Sequence, residues 1–208
     1  ASGRIKDCVS DQVNVASDMP TELCGNSHLS GVSNSRKSVF CRIAVIKGLL
    51  IVLIVGDDIT VSILSLQSYV GHGYVGNRVA TFVLERLGYE VWAIPTVIYS
   101  NHPGHGHFRG QPLSAETVVD LVEGVRECVE SDSLNAILTG YMGTADQVRS
   151  ASVLINQLTE NNKRCIYLCD PAIGNEQGLF VEKAIAEAVC ATLIPLARII
   201  TPNHFEFE

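Results

Sequence analysis

Residues 61–77 read VSILSLQSYVGHGYVGN, and the organisation of the chain follows from them. Val61–Gln67 is an apolar, β-branched run of the kind found in strands buried on both faces. Gln67 and Ser68 place polar groups at its tip, and Gly71, Gly73 and Gly76 form a turn. Asn77 can then cap a helix through about Leu87, ended by Gly88, with Val79, Phe82, Val83 and Leu87 on one face. A strand, a glycine-rich turn and a helix make the opening unit of an α/β sheet.

The same alternation continues to the end of the chain. Glu90–Ile94 reads as a second strand, and a Pro/Gly/His-rich loop covers Pro95–Pro112. Ser114 caps a helix whose Val118, Leu121, Val122, Val125 and Val129 recur at helical spacing. Ala136–Thr139 is a third strand, Thr144–Glu160 a third helix and Arg164–Cys169 a fourth strand. Val181–Leu193 is a fourth helix, and Arg198–Thr201 opens a fifth strand. Regular strand–helix alternation implies a mainly parallel sheet with helices on both faces. Ligands in such sheets sit beyond the carboxyl ends of the strands. Chemistry is therefore expected in residues 68–76, 95–112, 140–144, 170–178 and 202–206.

Upstream the character differs. Residues 1–38 are rich in Ser, Asn, Asp and Gly without a sustained apolar period, and are expected to be disordered or loosely attached. Val39–Val55 is apolar and fits either a strand or a buried helix. The expected division is an extension over 1–58 and an α/β domain over 59–208. Four acids among the first 22 residues do not suit a transit peptide. The apolar run Ile43–Val55 contains Lys47 and is shorter than the roughly 20 residues of a bilayer span, so no membrane partner is expected.

The chain has 208 residues, of which 47% are hydrophobic and 18% charged, enough to bury a core. Lys plus Arg number 15 against 22 Asp plus Glu, a net charge of −7. Residues 1–58 balance six bases with six acids, so the whole excess falls on 59–208. An acidic domain without a basic patch argues against nucleic acid as the main partner, while leaving room for a nucleotide held by backbone N–H groups and a metal. The seven cysteines are scattered. Cys165 and Cys169, four apart in a strand, would stand roughly 13 Å from each other and could not bridge. Free thiols point to a reducing, cytoplasmic setting.

Gly71, Gly73 and Gly76 spell the dinucleotide fingerprint, which also requires an acid at the tip of the next strand. That strand ends Val91-Trp92-Ala93-Ile94-Pro95, so NAD does not fit, and a turn needing positive φ is the simpler account. Ser100–His107 carries His102, His105 and His107 but no acid, which favours a substrate-binding loop over a metal site, with a solvated surface loop as the plain alternative. Asp170 precedes Pro171 at a strand end and could serve Mg²⁺ or a phosphate, or simply a turn. Asn203 and Glu206 have capping-box spacing, which is compatible with a ligand role.

Together these segments resemble one family. Gln67-Ser68-Tyr69-Val70 with Gly71-His72-Gly73-Tyr74-Val75-Gly76-Asn77 is similar to the first strand, loop and helix of the pyridoxal kinases, in the ribokinase-like superfamily. Ser100-Asn101-His102 after Thr96-Val97 resembles their substrate loop, and Thr139-Gly140-Tyr141-Met142-Gly143 their third strand end. Cys169-Asp170-Pro171-Ala172-Ile173-Gly174 and Ile199-Ile200-Thr201-Pro202-Asn203-His204-Phe205-Glu206 resemble the next two. The resemblance implies a ribokinase-like fold and ATP-dependent phosphorylation of the 5′-hydroxymethyl of pyridoxal, or of pyridoxine or pyridoxamine, in vitamin B6 salvage. It implies that Ser68 hydrogen-bonds the pyridine ring, that Pro103 and Gly104 flank the substrate and that Tyr141 lines its pocket. Asp170, Thr201, Asn203 and Glu206 would serve the ATP phosphates, with Mg²⁺ at Asp170 and Glu206. It also implies a homodimer.

Two residues depart from the family pattern: Pro103 stands where many members carry Thr, and Asn175 where members often carry an acid. The family's Gly-x-Gly-Asp segment, with its catalytic base and anion hole, would follow Glu208, so no catalytic residue is assigned and the chain alone is expected to be inactive. The alternatives are a non-catalytic vitamer- or nucleotide-binding remnant and a kinase resembling those for hydroxymethylpyrimidine.

Overall fold

The structure is a computed structural model that describes residues 61–129 and 133–208, together with the backbone of three strands further upstream. Those three are β1 (Asn14–Val15), β2 (Phe40–Ile46) and β3 (Leu49–Val55). The choice left open for Val39–Val55 falls to strand, because β2 and β3 pair antiparallel from Phe40↔Val55 to Ile46↔Leu49. The expectation of disorder in 1–38 lies outside the described residues, apart from Asn14–Val15.

The chain continues through β4 (Ser62–His72), α1 (Asn77–Arg86) and β5 (Glu90–Asn101). A short β6 (Gly110–Pro112) leads to α2 (Ala115–Cys128), β7 (Leu134–Thr139), α3 (Ala145–Asn161) and β8 (Ile166–Cys169). The two-residue strands β9 (Gly174–Asn175) and β10 (Gly178–Leu179) form a small hairpin. The last elements are α4 (Lys183–Ala188), β11 (Ile199–Ile200) and α5 (His204–Phe207). The main sheet has the order β1-β11-β8-β7-β4-β5-β6, parallel throughout except for β6. β4 lies between β5 and β7, so the chain steps to one side of it and then returns to the other. This reversal is the crevice in which α/β sheets bind ligands.

Neighbouring residues of β4 point to opposite faces, as the pleat requires. Leu64 and Leu66 join Trp92, Ile94, Ile137 and Tyr167 in the main core under α2, α3 and α4. Ile63 faces the other way, packing with Leu84 of α1 and Tyr89, while Ala80 of α1 meets Leu138 and Leu168. Helices thus cover both faces, with α1 on one and α2, α3 and α4 on the other.

Four local expectations need correction. First, Asn77 does not cap α1: Gly76 holds that position with φ +53°, and Asn77 is the first helical residue, turned inward. Second, the helix buries Asn77, Ala80 and Leu84 in place of the expected stripe, leaving Phe82 65% exposed and Leu87 exposed. The inward turn of Asn77 sets this rotation. Third, Pro95–Pro112 is not all loop, since β5 continues to Asn101 and pairs antiparallel with β6. Pro95 is tolerated beside the register shift between Gln67 and Tyr69, where the ladder is interrupted. The fourth helix is also shorter than expected: α4 ends at Ala188 and gives way to a π-helical turn over Val189–Leu193. Ser114 and Thr144 cap α2 and α3 through side-chain acceptance of the Thr117 and Gln147 N–H groups.

Candidate functional site at the carboxyl edge of the sheet

The parallel register aligns the strand ends. Leu66 stands opposite Thr139, Thr139 opposite Cys169, and Cys169 opposite Ile200. The next residues, Gln67, Gly140, Asp170 and Thr201, therefore lie along one edge. Backbone bonds continue the ladder there: Gly140 N–H donates to Leu66 O, Asp170 N–H to Thr139 O and Thr201 N–H to Cys169 O, at 2.9–3.1 Å.

At the β4 end, Ser68 is buried at the irregularity in the β4–β5 pairing. Gly76 presses against it, and a Cβ on Gly76 would overlap Ser68 O and Oγ. The Asn77 amide reaches into the same place. Its Oδ1 accepts from Ser65 Oγ at 2.8 Å, and its Nδ2 lies 3.0 Å from Ile94 O and 3.3 Å from Gln67 O. The buried amide of Asn77, bonded to Ser65 and Gln67, supports the strand tip.

Tyr141 follows β7. Its phenol interacts with Tyr99 of β5, its ring centroid is 6.3 Å from that of Phe180, and it packs against the cluster of Val70, Val97 and Tyr99. Burial, and then the Tyr99 hydroxyl, push Tyr141 up to about 12, so it is a neutral phenol throughout ordinary pH. Pro103 and Gly104 occupy an exposed turn past β5 whose bonds are local: His102 Nδ1 accepts Gly104 N–H, and Gly106 N–H donates to Pro103 O. Among the described residues no group of three or more His, Cys, Asp or Glu side chains is arranged to hold a metal ion.

On the β8–β11 side, the two acids do different work. Glu206 is buried, and its Oε1 accepts the N–H groups of Ile173 at 2.8 Å and Gly174 at 3.3 Å. Its Oε2 accepts Asn203 N–H at 3.0 Å, while Asn203 Oδ1 accepts Glu206 N–H, closing the expected capping box. Asn203 Nδ2 also donates to Gly174 O at 2.8 Å. The pair clamps the 171–174 turn, in which Ala172 takes φ +46°, a conformation rare outside glycine. Asp170 receives Thr201 Oγ1–H at 3.2 Å. Burial and then the Glu206 charge raise Asp170 to about 7, and burial raises Glu206 as well. A divalent cation would relieve this repulsion, and Asp170 has acceptor capacity to spare, so the residues fit Mg²⁺ with Asp170 as the holding group. Glu206, with both oxygens taken by N–H groups, would act by charge or through water. A cavity of about 340 Å³ adjoins the clamp, lined by Asn175, Glu176, Gln177, Asn203, His204 and Phe205.

Cys165 and Cys169 are free and buried, and burial pushes both up to about 12. None of the described helices is long and apolar enough to cross a membrane.

No sequence-family model matches the chain. Individual proteins do. It is 39% identical over 148 residues to a pyridoxal kinase of Corynebacterium diphtheriae and 40% identical over 148 residues to one of Rubrobacter xylanophilus. These alignments cover 71% of this chain and 52% and 51% of the relatives. This stretch is homologous to pyridoxal kinases. The pyridoxal kinase of Leishmania donovani, solved with ADP and pyridoxamine, superimposes with a TM-score of 0.65 at 35% identity, over 70% of this chain and 50% of that one. The pyridoxal kinase of Trypanosoma brucei gives 0.60 at 37% identity, over 70% and 50%. The fold is that of pyridoxal kinases, as the resemblance of its strand ends implies. The chain spans about half the length of the curated relatives it matches.

Proposed function

We propose that this chain carries the vitamer-binding part, and a share of the nucleotide-binding part, of a pyridoxal kinase acting in vitamin B6 salvage. The observation that carries this reading is the common register, which sets Gln67-Ser68, Gly140-Tyr141, Asp170 and Thr201 along one edge that runs from the reversal of strand order at β4 to β11. Ser68 would donate to or accept from the pyridine ring, Tyr141 would close the pocket as a neutral phenol, and Pro103 and Gly104 would flank the substrate. Asp170, Thr201 and Asn203 would serve the phosphates of ATP, with Glu206 holding their loop in shape. Mg²⁺, when bound at Asp170, would neutralise phosphate charge. The family's homodimer and cytoplasmic setting belong to the same proposal.

In the reaction the 5′-hydroxyl oxygen bonds to the γ-phosphorus of ATP as the bridge to the β-phosphate breaks. The products are pyridoxal 5′-phosphate and ADP, and the hydroxyl proton passes to a base. Such a transfer rests on positioning and on charge neutralisation. None of the residues assigned to the vitamer is a carboxylate, and general-base assistance is worth about 10²–10⁴-fold. The purified 208 residues should therefore bind pyridoxal and turn it over poorly. Pyridoxal 5′-phosphate formation with ATP and Mg²⁺ is the assay, with host kinase excluded. Turnover of about one per second or more, within the usual enzymatic range, would refute this assignment of residues. Ser68→Ala should weaken pyridoxal binding more than ATP binding, and equal losses would remove Ser68 from the vitamer site.

A further inference from the structure

Gln147 is polar, 1% exposed, and lies in the first turn of α3 beside the core residues Val148 and Ala151. A primary amide offers two N–H donors and one carbonyl, and all are used. Nε2 donates to Thr96 O of β5 at 2.6 Å and to Leu113 O, just ahead of α2, at 2.7 Å. Oε1 accepts Gly143 N–H, in the turn between β7 and α3, at 2.8 Å. Thr96 completes the link, because its Oγ1–H donates to Tyr141 O at 2.6 Å. The turn is thus tied to β5 at both Tyr141 and Gly143, and it sits so close that a Cβ on Gly143 would overlap Val97 and Pro112.

No hydrophobic side chain could satisfy the two carbonyls and the N–H that meet at this buried point, and a glutamate would set its oxygens against the carbonyls. We infer that Gln147 is a positioning residue that fixes the Tyr141 turn against β5 and so sets the width of the vitamer pocket. The pocket assignment rests on the function proposed above.

The test compares Gln147→Met with the wild-type 208-residue chain, by backbone hydrogen exchange and by pyridoxal and ADP binding. Exchange at Gly143 should accelerate by about tenfold or more, with the later turns of α3 unchanged, and pyridoxal affinity should fall by about tenfold, equivalent to 1.4 kcal/mol. ADP affinity should change less than about twofold. Unaltered exchange at Gly143 would overturn the inference, and so would equal losses of pyridoxal and ADP affinity, which would mark general destabilisation. Should the Met variant fail to fold, Thr96→Val cuts the bond to Tyr141 O and leaves Gln147 in place. Vitamer binding at full strength in that variant would also overturn the inference. A wild-type chain that binds no pyridoxal, pyridoxine or pyridoxamine would sink the functional reading itself. A wild type that binds while the Gln147 variant binds equally would sink this inference alone.

Discussion

Asp170 and Glu206 are both raised chiefly by burial, and the charge of Glu206 adds to the shift at Asp170. Asp170 reaches about 7, against about 3.9 for an unfolded aspartate. The folded chain therefore binds this proton more tightly than the unfolded chain does. The stability it contributes is complete below about pH 4 and is lost as pH rises towards 7. Asp170→Asn should accordingly melt above wild type at pH 8 and close to it at pH 4.5, as thermal unfolding at both values would reveal. Mg²⁺ at pH 8 should raise the wild-type midpoint and leave that of Asp170→Asn unmoved. Equal responses would place the cation elsewhere. Glu206→Ala would strip three N–H groups, those of Ile173, Gly174 and Asn203, of their acceptor. An unpaired buried donor costs about 1–3 kcal/mol, so a loss of about 3 kcal/mol is expected in denaturant unfolding. A loss below about 1 kcal/mol would mean that water replaces the carboxylate.

The β4–α1 unit shows how an element can be right in kind and wrong in detail. Its strand, turn and helix follow from apolar runs and glycines, yet the helix face does not follow from the valines and Phe82. Asn77 meets three partner strand positions, Ser65, Gln67 and Ile94, and buries itself, so Ala80 and Leu84 become the inner face. Hydrophobic periodicity has no means of registering a buried amide. Gly76 belongs to the same arrangement: with φ +53° and no room for a Cβ beside Ser68, Gly76→Ala should destabilise the chain by about 2–3 kcal/mol and weaken pyridoxal binding. Gly124 provides the contrast within α2, since its Cβ direction is open and its φ is ordinary. Gly124→Ala should stabilise by about 0.5–1 kcal/mol without touching binding. Unfolding curves of the two variants measured together decide whether Gly76 is held by conformation or is merely a turn residue.

At the scale of the molecule, the main buried core of the described residues lies between the sheet and α2, α3 and α4. Ile155 is fully buried there, whereas Val153, two residues away on the same helix, is 59% exposed. Ile155→Ala should cost about 2–5 kcal/mol and Val153→Ala less than about 0.5 kcal/mol. Comparable losses would contradict the placement of α3. The strand–helix alternation, the parallel sheet and the Ser114 cap of α2 were legible in the residues. Each of these depends on local periodicity or on a short-range capping bond, which neighbouring residues determine between themselves. The capping box of Asn203 and Glu206 is local in the same sense. Its second use, in which Glu206 and Asn203 hold the 171–174 turn from about thirty residues away, is not. The extension of β5 past Pro95 required β6 and the register shift in β4, and the role of Gln147 required Thr96, Leu113 and Gly143 to arrive from separate elements. The sequence by itself determined the class of fold and the segments that meet at its edge, because propensity and pattern act over a few residues. Only the tertiary structure decided which polar groups are buried there and what each one holds, because a buried amide or carboxylate takes its partners from distant parts of the chain.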